Sequence, residues 1–307
     1  MNETPAFLSD KALSASGISL SLLGAALFFA LPATDSPVYF ASAPYYLLPI
    51  VILSLASIVG GKIGRPSVAL ATWACATTFF CFGCFEVLYS WLPDVARSIK
   101  PDSAMTLFLR ELVAYGGNRS LQVMPIAMLA IMMAFLMKNQ WRHRLKAGNP
   151  SAETTILGEK EIMPWKRAAM RISFYLALVS VAFIVAKGSA GWNTGKVALF
   201  SAKLAGGAAN SLVEELLFRG LLQPVFEIVM GPGIANLLQA AFFSIIHYGF
   251  IETLSFAEIF PELVKFVLYL GIGLFLGRAA RETDGLLIPW LFHFLITSAI
   301  WLTISAS

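Results

Sequence analysis

Charge is scarce in this chain: Asp, Glu, Lys and Arg together make up 13% of its 307 residues, against 58% hydrophobic residues. With a mean hydropathy of +0.74, that shortage excludes a soluble domain of this length and leaves a polytopic membrane protein. Cysteine is nearly absent. Cys75, Cys81 and Cys84 all fall in one apolar run, where small polarisable packing residues explain them better than a metal or redox cluster. The zinc-protease spacing His-Glu-x-x-His is missing, no nucleic-acid motif accompanies the basic residues, and no internal repeat of the transporter kind occurs. A cleavable signal peptide is not expected, because the first apolar run lacks a basic leading region and a clear small-residue cleavage site. It is expected to remain as an anchor.

What the chain has in quantity is apolar sequence in pieces long enough to cross a bilayer, for which about 20 residues suffice. Such runs lie at Ala12–Leu31, Ala43–Val59, Val68–Leu92, Leu121–Met137, Ala168–Ala186, Val197–Met230, Ile234–Ile251, Glu262–Gly277 and Leu286–Ile304. The expected fold class is therefore all-α, a polytopic helical membrane protein of about nine transmembrane helices. The run Val197–Met230 is too long for one perpendicular helix, so it must tilt, break or continue past the membrane surface. Lys265, near the start of the eighth run, can snorkel to the headgroups. Glu86, near the end of the third, is assigned no role. In Pro101–Ser120, Met105, Phe108, Leu109, Leu112 and Val113 follow helical spacing with Arg110 and Glu111 opposite, the pattern of an amphipathic helix in the interface.

Cytoplasmic loops are enriched in lysine and arginine, which orients the bundle. With the N-terminus inside, that side carries Lys11, Lys62, Arg65, Arg278, Arg281 and eight more between Lys138 and Arg171, 13 in all, against 6 on the other side. The N-terminus is expected to be cytoplasmic and the C-terminus outside. The basic Lys138–Arg171 connection is expected to meet anionic lipid.

Within the sixth run stands Glu214-Glu215-Leu216-Leu217-Phe218-Arg219. An ionised side chain at bilayer depth costs on the order of 2.5–3.5 kcal/mol, so such residues face a protein interior and mark function. Glu215 and Arg219 are spaced four apart with the acid first, which lets them pair along a helix, while Glu214 points roughly 100° away and stays available for another partner. Of the three histidines, His143 sits in the basic connection, whereas His247 and His293 fall in apolar runs. Phe243 precedes His247 by four positions and Thr297 follows His293 by four, so each imidazole shares a helix face with its neighbour. A carboxyl buried beside an imidazole is moved towards the range where general acid–base chemistry works.

Glu-Glu-x-x-x-Arg, then Phe-x-x-x-His, then a histidine on a last span, in this order, resembles the CAAX prenyl protease and bacteriocin-processing (CPBP, or Abi) family of intramembrane proteases. The likeness covers about 172–299 and includes Thr283-Asp284-Gly285 and Pro289 ahead of His293. It implies a division into an N-terminal membrane region, 1–150, of about four helices with the interfacial helix near 101–120, and a CPBP-like catalytic membrane domain, 151–307. It further implies a glutamic peptidase in which Glu214 is the general base and His247 helps hold and polarise the water. Glu215, Arg219 and Phe243 would support the site, and His293 with Thr297 would stabilise the oxyanion. The family commonly has asparagine where this chain has Thr297; a threonine hydroxyl also donates one hydrogen bond but reaches less far.

The substrate implied is a peptide or protein, prenylated or otherwise membrane-anchored, met at the lipid bilayer and with no nucleic acid involved. The membrane would be the cell inner membrane in a bacterium or the endoplasmic reticulum in a eukaryote. No metal or other cofactor is expected. Zinc is the alternative, since Glu214, His247 and His293 are plausible ligands. Two rivals of other classes are a non-catalytic scaffold or immunity protein that keeps the fold, and a transporter using the same residues as a proton relay.

Overall fold

The computed structural model describes residues 37–64, 68–77, 80, 96, 98–117, 145–155, 162–187, 193–248 and 256–306. The expected spans Ala12–Leu31 and Leu121–Met137 lie outside the described residues, as do Cys81, Cys84, Glu86 and His143. Helices run over Pro37–Lys62 (α1), Val68–Thr77 (α2), Ala104–Glu111 (α3), Trp165–Lys187 (α4), Thr194–Glu215 (α5), Gln223–Met230 (α6), Pro232–Tyr248 (α7), Phe256–Thr283 (α8) and Leu287–Ala306 (α9). The all-α expectation holds, apart from a two-residue antiparallel pairing of β1 (Glu153–Thr154) with β2 (Met163–Pro164). One described helical stretch, Leu263–Thr283, is long and apolar enough to cross a membrane. Shorter apolar helices cover Ile50–Lys62, Val68–Thr77, Pro232–Ile245 and Leu287–Ile300.

The chain forms two compact units. The first holds α1, α2, α6, α7 and α8 as far as Phe275. In α1 the polar residues point inward and the apolar ones outward: Ser54 and Ser57 are fully buried while Val51, Ile52, Leu55 and Val59 are exposed. Ser57 Oγ donates to Ala69 O of α2 at 2.8 Å, and a Cβ on Gly60 would lie 3.0 Å from Ala69 N, so small residues bring these two backbones together. Small contact residues and side-chain hydrogen bonds are how helices associate when lipid removes the hydrophobic drive. Gly231 ends α6 at φ 81°, which only glycine adopts without strain, and Pro232 opens α7 at its first position, where no N–H is needed.

The second unit holds α3, the hairpin, α4, α5, the end of α8 from Leu276, and α9. Here α4 and α5 both pack on α9, and α3 with its continuation Leu112–Gly117 packs along α5. α3 carries a full capping box, Ser103 accepting from Thr106 N and Thr106 accepting from Ser103 N. It buries no residue completely and leaves Met105 and Leu109 exposed. Met170, Phe174, Leu178, Val181 and Val185 stand exposed along one face of α4. An apolar stripe of that length is ill suited to water and well suited to lipid.

A segment of the expected basic connection is fastened to the α8–α9 turn. Asn149 N donates to Thr283 O at 2.6 Å, Leu286 N to Lys146 O and Leu287 N to Ala147 O. Lys146 Nζ lies 2.6 Å from Asp284 Oδ2, so this lysine has a protein partner besides any lipid headgroup. Gly148, at φ 83°, is required by the closeness of this strap: a Cβ there would meet Thr283 O at 2.6 Å. Trp165 Nε1 donates to Glu282, whose other oxygen accepts from Arg278 at 2.7 Å. The start of α9 is thereby held from two directions.

Candidate active site

The long sixth run breaks in a specific place. α5 ends at Glu215, and Leu216–Leu222 continues as a π-helical segment before α6. Pro224 explains the change locally, because its ring lacks an N–H and crowds the carbonyl four residues back, that of Gly220. Wider π turns are short and recur at functional sites. The four-apart rule used for Glu215 and Arg219 belongs to an α-helix, and the α geometry stops at the first of the two.

In the second unit, Glu214, Glu215 and His293 come together. They are 5%, 0% and 5% exposed. Glu215 Oε1 is 2.8 Å from His293 Nδ1, and Glu214 Oε2 is 3.6 Å from His293 Nε2. Both ring nitrogens thus face a carboxylate, one at hydrogen-bond distance and one just beyond it. Spacing on one helix did not reveal that Glu215 serves the imidazole, since the partner lies 78 residues on.

His293 is placed by two contacts of α9 on α5. Trp290 Nε1 donates to Ala208 O at 3.0 Å, and Thr297 Cγ2 would lie 3.5 Å from a Cβ on Gly207. Thr297 is half-buried one turn beyond His293, on the helix face expected for it. Phe292, fully buried, meets Trp165 edge-on with ring centroids 6.0 Å apart. One turn before the two glutamates, Asn210 and Ser211 are also buried.

In the first unit, Phe243 is the centre of an aromatic and cationic group. Its ring meets Phe218 at 5.2 Å and His247 at 4.2 Å between centroids, and the Arg219 guanidinium lies 4.7 Å over it. A cation held over a ring face out of water contributes about 2 kcal/mol. Arg219 is fully buried and donates from Nη2 to Gly273 O at 3.2 Å, an acceptor that Gln239 Nε2 shares at 2.9 Å. Gly273 permits this approach: a Cβ there would sit 2.9 Å from Ala240 of α7. His247 is half-buried, its Nδ1 is 2.8 Å from Phe243 O in its own helix, and Tyr269 stacks on it at 4.7 Å. The carbonyl of Phe243 can only accept, so Nδ1 is the donor in this contact. Tyr269, Gln239 and Gly273 escaped the sequence reading, because no spacing rule links α8 to α7.

Glu214 and His293 offer two of the ligands a zinc ion needs, at a separation compatible with a shared ion about 2.0–2.2 Å from each. The same pair can also share a proton or a water.

The described residues form helices with exposed apolar faces, and they bury a carboxylate–imidazole group. Residues 196–299 match the family model of the type II CAAX prenyl endopeptidases, Rce1-like. The match lies within the stretch that resembles the CAAX prenyl protease and bacteriocin-processing family. The matched stretch runs from the first turn of α5 into α9 and contains every residue of both polar groups. No curated protein and no solved structure matches the chain.

Proposed function

We propose that the chain is an intramembrane endopeptidase in which Glu214 activates water for hydrolysis of a peptide bond, without a metal. The observation that carries this reading is the convergence of two adjacent glutamates on one buried imidazole, His293. A structural ion pair needs one carboxylate. The second, with Oε2 3.6 Å from Nε2, stands beside the nitrogen that faces the reacting water.

In the proposed reaction Glu214 takes a proton from water as the water oxygen attacks the substrate carbonyl carbon. His293 donates from Nε2 to the oxyanion that forms, and Glu215, accepting from Nδ1, supports the positive charge on the ring. Thr297 assists with its hydroxyl. Collapse of the tetrahedral intermediate breaks the C–N bond, and the proton held by Glu214 passes to the leaving amine. His247 takes a share in holding the water through Nε2, with Arg219 and Phe243 as its support. The substrate is a membrane-anchored peptide or protein, and the family description makes a prenylated one the first to try.

Nine spans, a cytoplasmic N-terminus and a catalytic domain over 151–307 complete the proposal. A label at Asn149 should be accessible from the cytoplasmic side and one at Ser307 from the other. Both on one side would refute nine spans.

The test of activity uses purified protein in detergent or liposomes and a quenched-fluorescent peptide ending in farnesylated Cys-aliphatic-aliphatic-X. Glu214→Gln, which keeps shape but is no base, should lower turnover roughly 10²–10⁴-fold with unchanged thermal unfolding. Cleavage by Glu214→Gln at the parent rate removes the base. Loss of cleavage on chelation, restored by Zn²⁺, replaces the metal-free mechanism with a zinc one. A folded parent that cleaves no peptide favours the scaffold or immunity reading.

A further inference from the structure

α4, in the second unit, carries charge where its own helix disfavours it. Lys166, Arg167 and Arg171 stand exposed in its first two turns, and the helix contains no acid. The N-terminal end of a helix is positive, so cations there need a counter-charge from outside it. The acids around the α8–α9 turn are engaged elsewhere, Glu282 by Arg278 and Trp165, Asp284 by Lys146. Among the described residues no acidic side chain pairs with Lys166 or Arg167. The backbone is occupied too, since Trp165 N and Lys166 N donate to Ala152 O and Pro150 O. An anion here would be met by side chains.

The same face continues as apolar surface. Arg167, Arg171, Phe174, Leu178, Val181 and Val185 follow one another at intervals of four and three, which keeps them in one stripe. The last four are 64%, 56%, 56% and 72% exposed. From Phe174 to Val185 the helix rises about 16 Å, close to one acyl layer of a hydrocarbon core about 30 Å thick.

We propose that this face of α4 binds an anionic phospholipid, its phosphate held by Lys166, Arg167 and Arg171 and one acyl chain lying along Phe174, Leu178, Val181 and Val185. A general attraction of basic loops to the membrane needs no such alignment of cations with an apolar stripe; a seated lipid does. In the proposed topology this end of α4 is cytoplasmic, the side on which anionic lipid attracts basic segments.

The opposite face of α4 links the lipid to the chemistry. Ala168 and Ala169 are buried, α4 packs along α9, and Trp165 meets Phe292, the residue before His293, with ring centroids 6.0 Å apart. A lipid that anchors the first turns of α4 steadies Trp165 and, through Phe292, the imidazole of His293. This coupling rests on the endopeptidase reading, whereas the binding site does not.

The experiment offers the full chain, purified in detergent, equal amounts of phosphatidylglycerol and phosphatidylcholine with the same acyl chains, and native mass spectrometry reads which lipid is retained. A cation near the surface contributes about a fivefold preference, so the parent should favour phosphatidylglycerol roughly a hundredfold. Arg167→Gln should lower that enrichment about fivefold and Arg167→Lys should keep it. Combining Lys166→Gln, Arg167→Gln and Arg171→Gln should erase it. Lys196→Gln, which removes a charge from the first turn of α5, should change nothing. A parental ratio in the triple variant overturns the site, as does an equal loss in Lys196→Gln, which would make net charge the cause. Excess soluble glycerol phosphate should leave the lipid in place for want of an acyl chain, and displacement by it overturns the seated lipid in favour of a plain anion site. Where the triple variant fails to fold, Arg167→Gln and Arg171→Gln taken singly decide the site in the same way.

Turnover tests the coupling. In liposomes the parent should cleave the farnesylated peptide several times faster with phosphatidylglycerol present than in phosphatidylcholine alone, and the triple variant should lose that difference while keeping the phosphatidylcholine rate. A difference that persists in the triple variant overturns the coupling. A parent that cleaves nothing in either membrane defeats the endopeptidase reading and the coupling with it, while the lipid site stands or falls on retention.

Discussion

The two buried imidazoles stand in opposite surroundings. His293 faces a carboxylate at each ring nitrogen and is almost wholly out of solvent. His247 bonds to the carbonyl of its own helix, lies between Phe243 and Tyr269, and keeps part of its surface accessible. In the proposed reaction His293 therefore meets the negative charge that develops. A ring pinned at Nδ1 among aromatic neighbours suits orientation of a neutral molecule. Residue type is the same in both; the neighbours decide which task each can perform.

The sharpest way to break this contrast is to remove the buried charges that each side needs. Glu215→Ala strands the His293 ring and should lower stability by roughly 3–5 kcal/mol, while Arg219→Ala removes the cation over Phe243 and one of the two donors to Gly273 O and should lower it by about 2–3 kcal/mol. Folded yield in detergent and the unfolding midpoint report this. Normal yield from either variant would show that its partner is satisfied elsewhere.

Next in size is a direct comparison of the rings. His293→Gln should lower kcat by roughly 10²–10³, as loss of an oxyanion donor does. His247→Gln keeps one hydrogen-bonding group near the same place and should lower kcat about tenfold. Equal losses would erase the distinction between charge support and orientation.

Thr297 sharpens the His293 side. Thr297→Val preserves the methyl packed towards Gly207 and deletes the hydroxyl, so kcat should fall about tenfold with KM nearly constant. Thr297→Asn should keep or raise kcat, because an amide reaches further than a hydroxyl. A parental kcat in Thr297→Val would leave His293 without help from this position.

The smallest effect is expected on the His247 side. Tyr269→Leu keeps the apolar volume and removes the ring stacked at 4.7 Å, which should cost a factor of a few in turnover and little stability. A loss as large as that of His247→Gln would make Tyr269 a partner in the reaction rather than a support for the ring.

Much of this was legible before any coordinates. The shortage of charge pointed to a membrane protein, and the helical runs at α1, α4, α5, α7, α8 and α9 lie where apolar length put them. Glu214, Glu215, Arg219, His247 and His293 stood out because each is expensive to bury in lipid without a reason. Helical periodicity also located α3, whose exposed Met105 and Leu109 mark the face turned outward.

Other features lay beyond a one-dimensional reading. The π-helical segment after Glu215 was not foreseen: the run was known to be too long, but the place of the break depends on how Pro224 is accommodated. The strap of Lys146–Asn149 on the α8–α9 turn joins segments more than a hundred residues apart.

By itself, then, the sequence determined which residues had to be helical, which had to leave water, and which charges needed partners, because transfer free energy and helical period are properties of residues in order. Only the tertiary structure decided that Glu215 faces His293 and that Gly273 O receives both Arg219 and Gln239. Hydrogen bonds between helices depend on the rotation and crossing of each helix, which packing over the whole surface settles and no local spacing encodes.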